Sequence, residues 1–226
     1  MRTNLTRKVL LSWSSGKDSA WALHVLRRDP SVEVVGLLTT INERASRVAM
    51  HAVREAVLDV QAAALGLPLT KVYIPDPCSN AEYERAMADA MDGARRSGVH
   101  AIAFGDLFLE DVRRYREEKL ASTGIEPVFP LWGANTTHLA REMVAAGLRA
   151  ILTSVDPRQL DTAFAGRVFD QTLLDDLPDG IDPCGENGEF HSFAYAGPMF
   201  EQPLAVATGD TVERDGFVFF DVRPFA

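Results

Sequence analysis

Short apolar runs rich in branched residues alternate, through the first two thirds of the chain, with segments whose apolar positions recur every third or fourth residue. Residues 9–13, Val-Leu-Leu-Ser-Trp, form the first run, and Trp21/Val25 with Ala22/Leu26 then repeat at i, i+4. That is a strand followed by an amphipathic helix. Residues 32–40 are nearly continuous in apolar character, as buried parallel strands are. After a polar loop at 42–47, Val53, Ala56, Val57, Val60 and Ala64 mark a second helix, stopped at Gly66-Leu67-Pro68. The same reading predicts strands at 69–74 and 100–104, with a helix between them carrying Tyr83, Ala86, Met87, Ala90 and Ala94. Helices are expected at 110–122 and 135–146, and a late strand at 149–155. Strict β/α alternation implies a doubly wound α/β fold, a parallel sheet covered on both faces.

Past Asp156 the pattern changes. Residues 164–177 read as helical, and 190–196, 204–211 and 217–222 as strands. This predicts two units: a larger α/β domain over residues 1–155 and a smaller α+β region over 156–226, packed against it.

Composition changes the picture little. The chain has 226 residues, 46% hydrophobic and 24% charged, which suits a globular protein with a sizeable core. A formal net charge of −9 argues against general binding to nucleic acid or an anionic membrane, which clustered Lys and Arg would drive. Cys78 and Cys184 form neither a zinc pattern nor a disulfide framework, so a reducing cytoplasm is the expected compartment. The basic start, Arg2, Arg7 and Lys8, precedes too short an apolar run for a secretory leader, and no stretch is long enough to span a membrane.

The chemistry concentrates first at Ser14-Ser15-Gly16-Lys17-Asp18-Ser19, between the first strand and helix. A helix N-terminus presents unpaired N–H groups and a positive dipole end to an anion. Three hydroxyls, one glycine and Lys17 add to that, while Asp18 makes sense beside a phosphate only if a magnesium ion is there too. A Walker A loop is excluded, because Leu11 and Asp18 stand where its first glycine and its Ser/Thr belong. In open parallel sheets ligands bind beyond the strand carboxyl ends. Leu38, Thr39 and Thr40 with residues 42–51, including His51, would there read a base through backbone groups. Gly105 would admit a ribose or adenine plane and Asp106 bind a hydroxyl or a metal; equally, the pair could make a turn and cap the next helix.

A third cluster spans residues 182–192, Asp-Pro-Cys-Gly-Glu-Asn-Gly-Glu-Phe-His-Ser. Its glycines permit a tight loop that would aim Glu186, Glu189 and His191 into one cleft, to bind magnesium, position an amine or move a proton. A Gly-Asn turn with solvated acids has the same composition.

Residues 14–19 resemble the PP-loop of ATP pyrophosphatases, S-G-G-K-D-S, with Ser15 at its first glycine. Further segments extend the likeness over nearly the whole chain: Met50-His51, Gly105-Asp106-Leu107 with Arg114 and Glu118, Pro130-Leu131-Trp132-Gly133, and Gly197-Pro198-Met199-Phe200. The most specific is residues 185–192, which resemble the G-E-x-G-E-[FY]-H-[ST] block of the diphthine–ammonia ligase family, within the adenine nucleotide α-hydrolase (HUP) fold. The resemblance implies ATP and Mg2+ as cofactors and cleavage to AMP and pyrophosphate. A carboxylate would be adenylated and then amidated by free ammonia. It assigns Ser14, Ser15, Gly16, Lys17, Asp18, Ser19, Leu38, Thr39, His51, Gly105 and Asp106 to the nucleotide, and Asp18 to the metal. Lys17, Asp18, Glu186, Glu189 and His191 would carry the chemistry. The acceptor would be diphthine on a translation factor in a eukaryote or archaeon, and another carboxylate elsewhere; a homodimer is one assembly the chain admits. Two other readings compete: a regulatory module that holds nucleotide without turnover, which would not need the block at 185–192, and a PP-loop enzyme acting on tRNA or another small acceptor. A tRNA enzyme would normally show a basic face or paired cysteines.

Overall fold

The computed structural model describes residues 6–44, 46–48 and 53–225. In chain order, β1 (Arg7–Ser12), α1 (Lys17–Arg27), β2 (Val32–Asn42), the short β3 (Arg47–Val48), α2 (Glu55–Ala64), β4 (Leu69–Ile74), α3 (Asn80–Arg96), β5 (Ala101–Ala103), α4 (Glu110–Leu120) and β6 (Glu126–Val128) build the first sheet and its helices. Parallel pairings run from β4 to β2, β2 to β1, β1 to β5 and β5 to β6; only β3 is antiparallel, against the end of β2. Strand order therefore reverses at β1, with β2 on one side and β5 on the other. Neighbouring positions in a strand face opposite ways. Leu10 accordingly joins Leu38, Ile102, Met91 and Leu120 under α3 and α4, while Leu11 joins Trp21, Leu23, Leu37, Val57 and Leu58 under α1 and α2. The expected doubly wound α/β sheet is present.

Helix boundaries follow local chemistry. Ser79 and Glu82 form a reciprocal capping box at the start of α3, and Asn135 caps α5 (Thr136–Ala145) through a bond from His138 N. Two strands escaped the sequence reading. β3 is two residues long, and β6 contains Pro127 at the sheet edge, where a missing N–H is tolerated.

The late strand β7 (Arg149–Val155) is the main correction. It does not extend the parallel sheet. It pairs antiparallel with β8 (Phe190–Ala196) and β10 (Phe217–Pro224), and β9 (Val206–Arg214) completes a four-stranded sheet of order β8–β7–β10–β9. Six of its seven residues are buried, and a run buried on both faces does not reveal whether its neighbours are parallel. Residues 164–177 are also not one helix. A 3-10 turn at Thr162–Phe164 is followed by a stretch that pairs with β7 through Leu152 N to Arg167 O and Phe169 N to Ala150 O, and only α6 (Gln171–Asp176) is helical. Backbone pairing along the β7 edge there displaces helical bonding.

One apolar core joins the two sheets, running from Leu11 and Val57 to Phe190, Phe193 and Val222. Asp221 of β10 closes the seam by pairing with Arg47 at 3.1 Å and Arg54 at 2.9 Å.

Candidate active site

The chain leaves β1 at Ser12 and enters α1 through residues 13–16, beside the point where strand order reverses. Ser15 is fully buried with φ +69°, a left-handed conformation that is ordinary for glycine and costs other residues roughly 1–2 kcal/mol. The loop thus keeps the backbone shape of a glycine with a serine in place. Surrounding bonds hold it there. Trp13 N donates to Leu38 O at 2.8 Å, Ala194 N donates to Ser15 O at 2.9 Å, and Lys17 N donates to Ser192 Oγ at 3.2 Å. Gln61, in α2 and fully buried, ties the pieces together: its Oε1 accepts from Trp13 Nε1 at 2.8 Å, and its Nε2 donates to Ser15 O at 3.0 Å and Ala194 O at 2.6 Å.

Gly105, just past β5, lies against the start of α1. A Cβ there would stand 3.0 Å from the backbone atoms Asp18 C and Ser19 N, so any larger residue would need that backbone to give by a few tenths of an ångström. Gly185 is constrained in the same way within the third cluster: its φ is +68° and a Cβ would meet Phe190 O at 2.8 Å.

These elements enclose a cavity of about 210 Å³. Ser14, Lys17, Asp18 and Ser19 line one side, Gly105, Asp106 and Arg116 another, and Glu186, His191 and Ser192 a third. Lys17 is 2% exposed; its Nζ donates to Asp18 Oδ2 at 2.8 Å and Oδ1 at 3.0 Å and to the Cys184 carbonyl, between the rings of Phe169 and Phe190. Burial is the largest influence and works against its charge, but Asp18, together with Cys184 and Glu186, outweighs burial and holds the Lys17 pKa above its ordinary value. Asp106 makes a two-pronged pair with Arg116, at 2.5 and 3.0 Å, and the guanidinium lies 4.2 Å from the Phe104 ring centroid.

Glu186 accepts from Leu107 N at 2.7 Å, which fixes it beside the end of β5. Burial pushes its pKa up to about 7, helped by the nearby Asp18 charge. Burial, with a smaller contribution from Lys17, lowers His191 to about 4, so its imidazole is neutral at pH 7. Such a pair can hold and release a proton near neutrality through the carboxyl rather than the imidazole.

The remaining expected residues are placed otherwise. Glu189 is 2% exposed and turned into its own loop, where Oε1 accepts from Asp182 N and Asn187 Nδ2, both at 3.0 Å. It braces the loop that carries Glu186 rather than lining the cavity. Ser15 and Gly16 shape the turn from behind. Leu38 and Thr39 are buried beneath it; the Thr39 hydroxyl donates to Trp13 O at 2.7 Å. Arg114 and Glu118 are exposed on α4, and it is Arg116, between them, that reaches the cavity. Met50 and His51 lie outside the described residues. The Cys184 thiol is buried and burial raises its pKa, so its contribution here is the carbonyl that meets Lys17.

Sequence reasoning missed Gln61 and Arg116. Gln61 left a faint signal, an amide in an otherwise apolar helical stripe; Arg116 left none among the many charges of α4.

Comparison with known proteins matches both halves of the chain. The diphthamide synthase N-terminal domain matches residues 7–127 and the diphthamide synthase C-terminal domain residues 135–222. The chain belongs to the diphthamide synthase family. Curated relatives in that family carry the name diphthine–ammonia ligase. The Homo sapiens protein is 26% identical over 181 residues, covering 73% of this chain and 67% of the relative. The Rattus norvegicus protein is 25% identical over the same length, and the Danio rerio protein 26% identical over 230 residues, 92% of this chain and 90% of its own. The family's second domain begins before β7, which agrees with the membership of that strand in the second sheet. No helix among the described residues is long and apolar enough to cross a membrane.

Proposed function

We propose that this protein is an ATP-dependent ligase that adenylates a carboxylate and then amidates it with free ammonia, releasing AMP and pyrophosphate. The observation that carries the reading is the shared cavity: the phosphate-loop residues Lys17, Asp18 and Ser19 face Glu186, His191 and Ser192, about 170 positions later, across one enclosed space. A nucleotide-holding module has no need of that second wall. The names of the relatives support the same class of reaction.

In the first half-reaction an acceptor carboxylate oxygen attacks the α-phosphorus, the bond from that phosphorus to the bridging oxygen breaks, and pyrophosphate leaves. The Lys17 charge and the α1 N-terminus oppose the negative charge that develops on the leaving group. In the second, ammonium gives one proton to Glu186, the nitrogen attacks the acyl carbon, and AMP departs as the carbon–oxygen bond breaks; the second proton passes to solvent. A carboxyl with pKa about 7 suits that transfer better than an imidazole with pKa about 4. His191, neutral, would orient the acyl group by hydrogen bonding.

Among the described residues no cluster of three or more acidic, His or Cys side chains stands ready to cage a metal. Nucleotide-bound magnesium needs only one or two carboxylates beside phosphate oxygens, and Asp18, on the cavity wall with its side chain 26% exposed, fits that role. Magnesium bound there would offset charge on the phosphates.

The test is incubation with ATP, magnesium and ammonium, with and without carboxylic acids, scoring AMP plus pyrophosphate against ADP plus phosphate. AMP and pyrophosphate, lost in Lys17→Ala through weaker ATP binding and in Glu186→Gln through slower amide formation, are expected. Release of ADP would overturn the assignment.

A further inference from the structure

A second cavity, about 230 Å³, lies between α3 and α4. Met87, Met91, Ile102 and Leu120 give it aliphatic walls, and Tyr83 and Tyr115 add aromatic ones. It opens to solvent on the side of Glu84, Ala88, Tyr115 and Lys119, so a ligand can enter it. It is not separate from the site described above. Phe104 and Arg116 line both cavities and form the partition between them. Either space alone falls below the roughly 300–1,000 Å³ of ordinary ligand pockets, whereas the two together fall within that range.

Charge decides what the partition can hold. The described residues place two cations on the nucleotide cavity, Lys17 and Arg116. Lys17 is buried and committed to Asp18 and the Cys184 carbonyl. Arg116 gives Nε–H and one Nη2–H to Asp106 and stacks on Phe104, which leaves three of its five N–H donors without a partner among the described residues. A guanidinium fork with free donors, already oriented by one carboxylate, is suited to a second. The aliphatic cavity behind it excludes a charged body but accepts an apolar one, and two methionines let its walls adapt. Its outer rim carries the Lys119–Glu84 pair at 2.6 Å, both residues nearly half exposed, a contact that opens at little cost.

We propose that the α3–α4 cavity is the acceptor subsite: it takes the apolar or aromatic body of the carboxylate substrate, and Arg116 holds the carboxylate at the junction with the nucleotide cavity. The substrate class is therefore a carboxylic acid on a hydrophobic arm. This rests on the ligase reading above, and the experiment separates the two.

Binding of 4-phenylbutyrate, hexanoate and acetate to the full chain is measured by ligand-observed NMR without ATP. ATP–pyrophosphate exchange is then measured with each acid. The expected result is binding of 4-phenylbutyrate and hexanoate at least tenfold tighter than acetate, and exchange that follows the same order. Met87→Trp fills the cavity and Arg116→Met removes the fork; each should weaken 4-phenylbutyrate binding tenfold or more. Ala88→Phe, at the exposed rim, is the second filling variant should Met87→Trp fail to fold, which circular dichroism reports. Equal binding of acetate and 4-phenylbutyrate, or 4-phenylbutyrate binding unchanged in a folded filling variant, overturns the subsite. Exchange absent with every acid, while 4-phenylbutyrate binding still tracks the variants, counts against the ligase reading instead.

Discussion

Replacing Gln61 tests whether the loop at residues 13–16 is held by tertiary bonds rather than by its own sequence. Gln61→Leu keeps the volume in a fully buried position but removes three hydrogen bonds, to Trp13 Nε1, Ser15 O and Ala194 O. Each such bond contributes about 1 kcal/mol net, and the Trp13 N–H left without an acceptor adds about 1–3 kcal/mol. The expected loss is about 4–6 kcal/mol, a large part of the roughly 5–15 kcal/mol that holds a domain folded. In a chain of this length that corresponds to a fall in Tm of roughly 8–24 °C. Gln61→Glu sharpens the test. It keeps the acceptor for Trp13 but sets a carboxylate oxygen against two carbonyl oxygens, so it should be at least as destabilising near neutrality and partly recover in acid, when the carboxyl can donate. Urea denaturation followed by tryptophan fluorescence reads both variants. A loss under about 1 kcal/mol for Gln61→Leu, with m unchanged, would refute the view that this side chain clamps the loop.

Three further outcomes follow from the same geometry. Gly105→Ala forces a Cβ against the backbone of Asp18 and Ser19, so it should cost about 1–3 kcal/mol and weaken ATP binding together; an alanine variant of wild-type stability and affinity would contradict the close approach. Ser15→Gly relieves a left-handed serine whose buried Oγ has no partner among the described residues, and should stabilise the protein by about 1 kcal/mol in chemical denaturation, with a loss of stability as the contrary result. The third concerns pH. Glu186, raised to about 7, binds a proton more readily folded than unfolded, so its contribution to stability falls as pH rises from the ordinary carboxyl range through 7. His191, lowered to about 4, has the opposite sign: its contribution falls as pH drops from 6.5 toward 4. Between about pH 4.5 and 6.5 the two slopes oppose each other. Relative to the wild type, Glu186→Gln should therefore lose stability as pH is lowered across that window and His191→Gln should gain it, and parallel curves for all three proteins would show that neither group is shifted.

Readable from the chain alone were the parallel sheet, its flanking helices and the position of the loop at residues 13–19. Those depend on local periodicity, on the burial of near-continuous apolar runs and on residues adjacent in the chain. The sequence also picked out residues 182–192 as chemically dense, and residues 185–192, by their resemblance to a known block, pointed to the family. What it left undecided was every relation set by long-range packing. The partners of β7 could not be read because a strand buried on both faces carries no mark of its neighbours' direction. The roles of Glu186 and Glu189 were indistinguishable as letters; only the fold turns one toward the cavity and the other back into the loop. Arg116 and Gln61 belong to the site because helices α4 and α2 rotate them toward it, and a helix surface with many charges, or a single amide in an apolar stripe, does not announce which side chain will face a cleft. Tertiary structure decides such matters because burial, and the bonds that burial demands, depend on which surfaces meet.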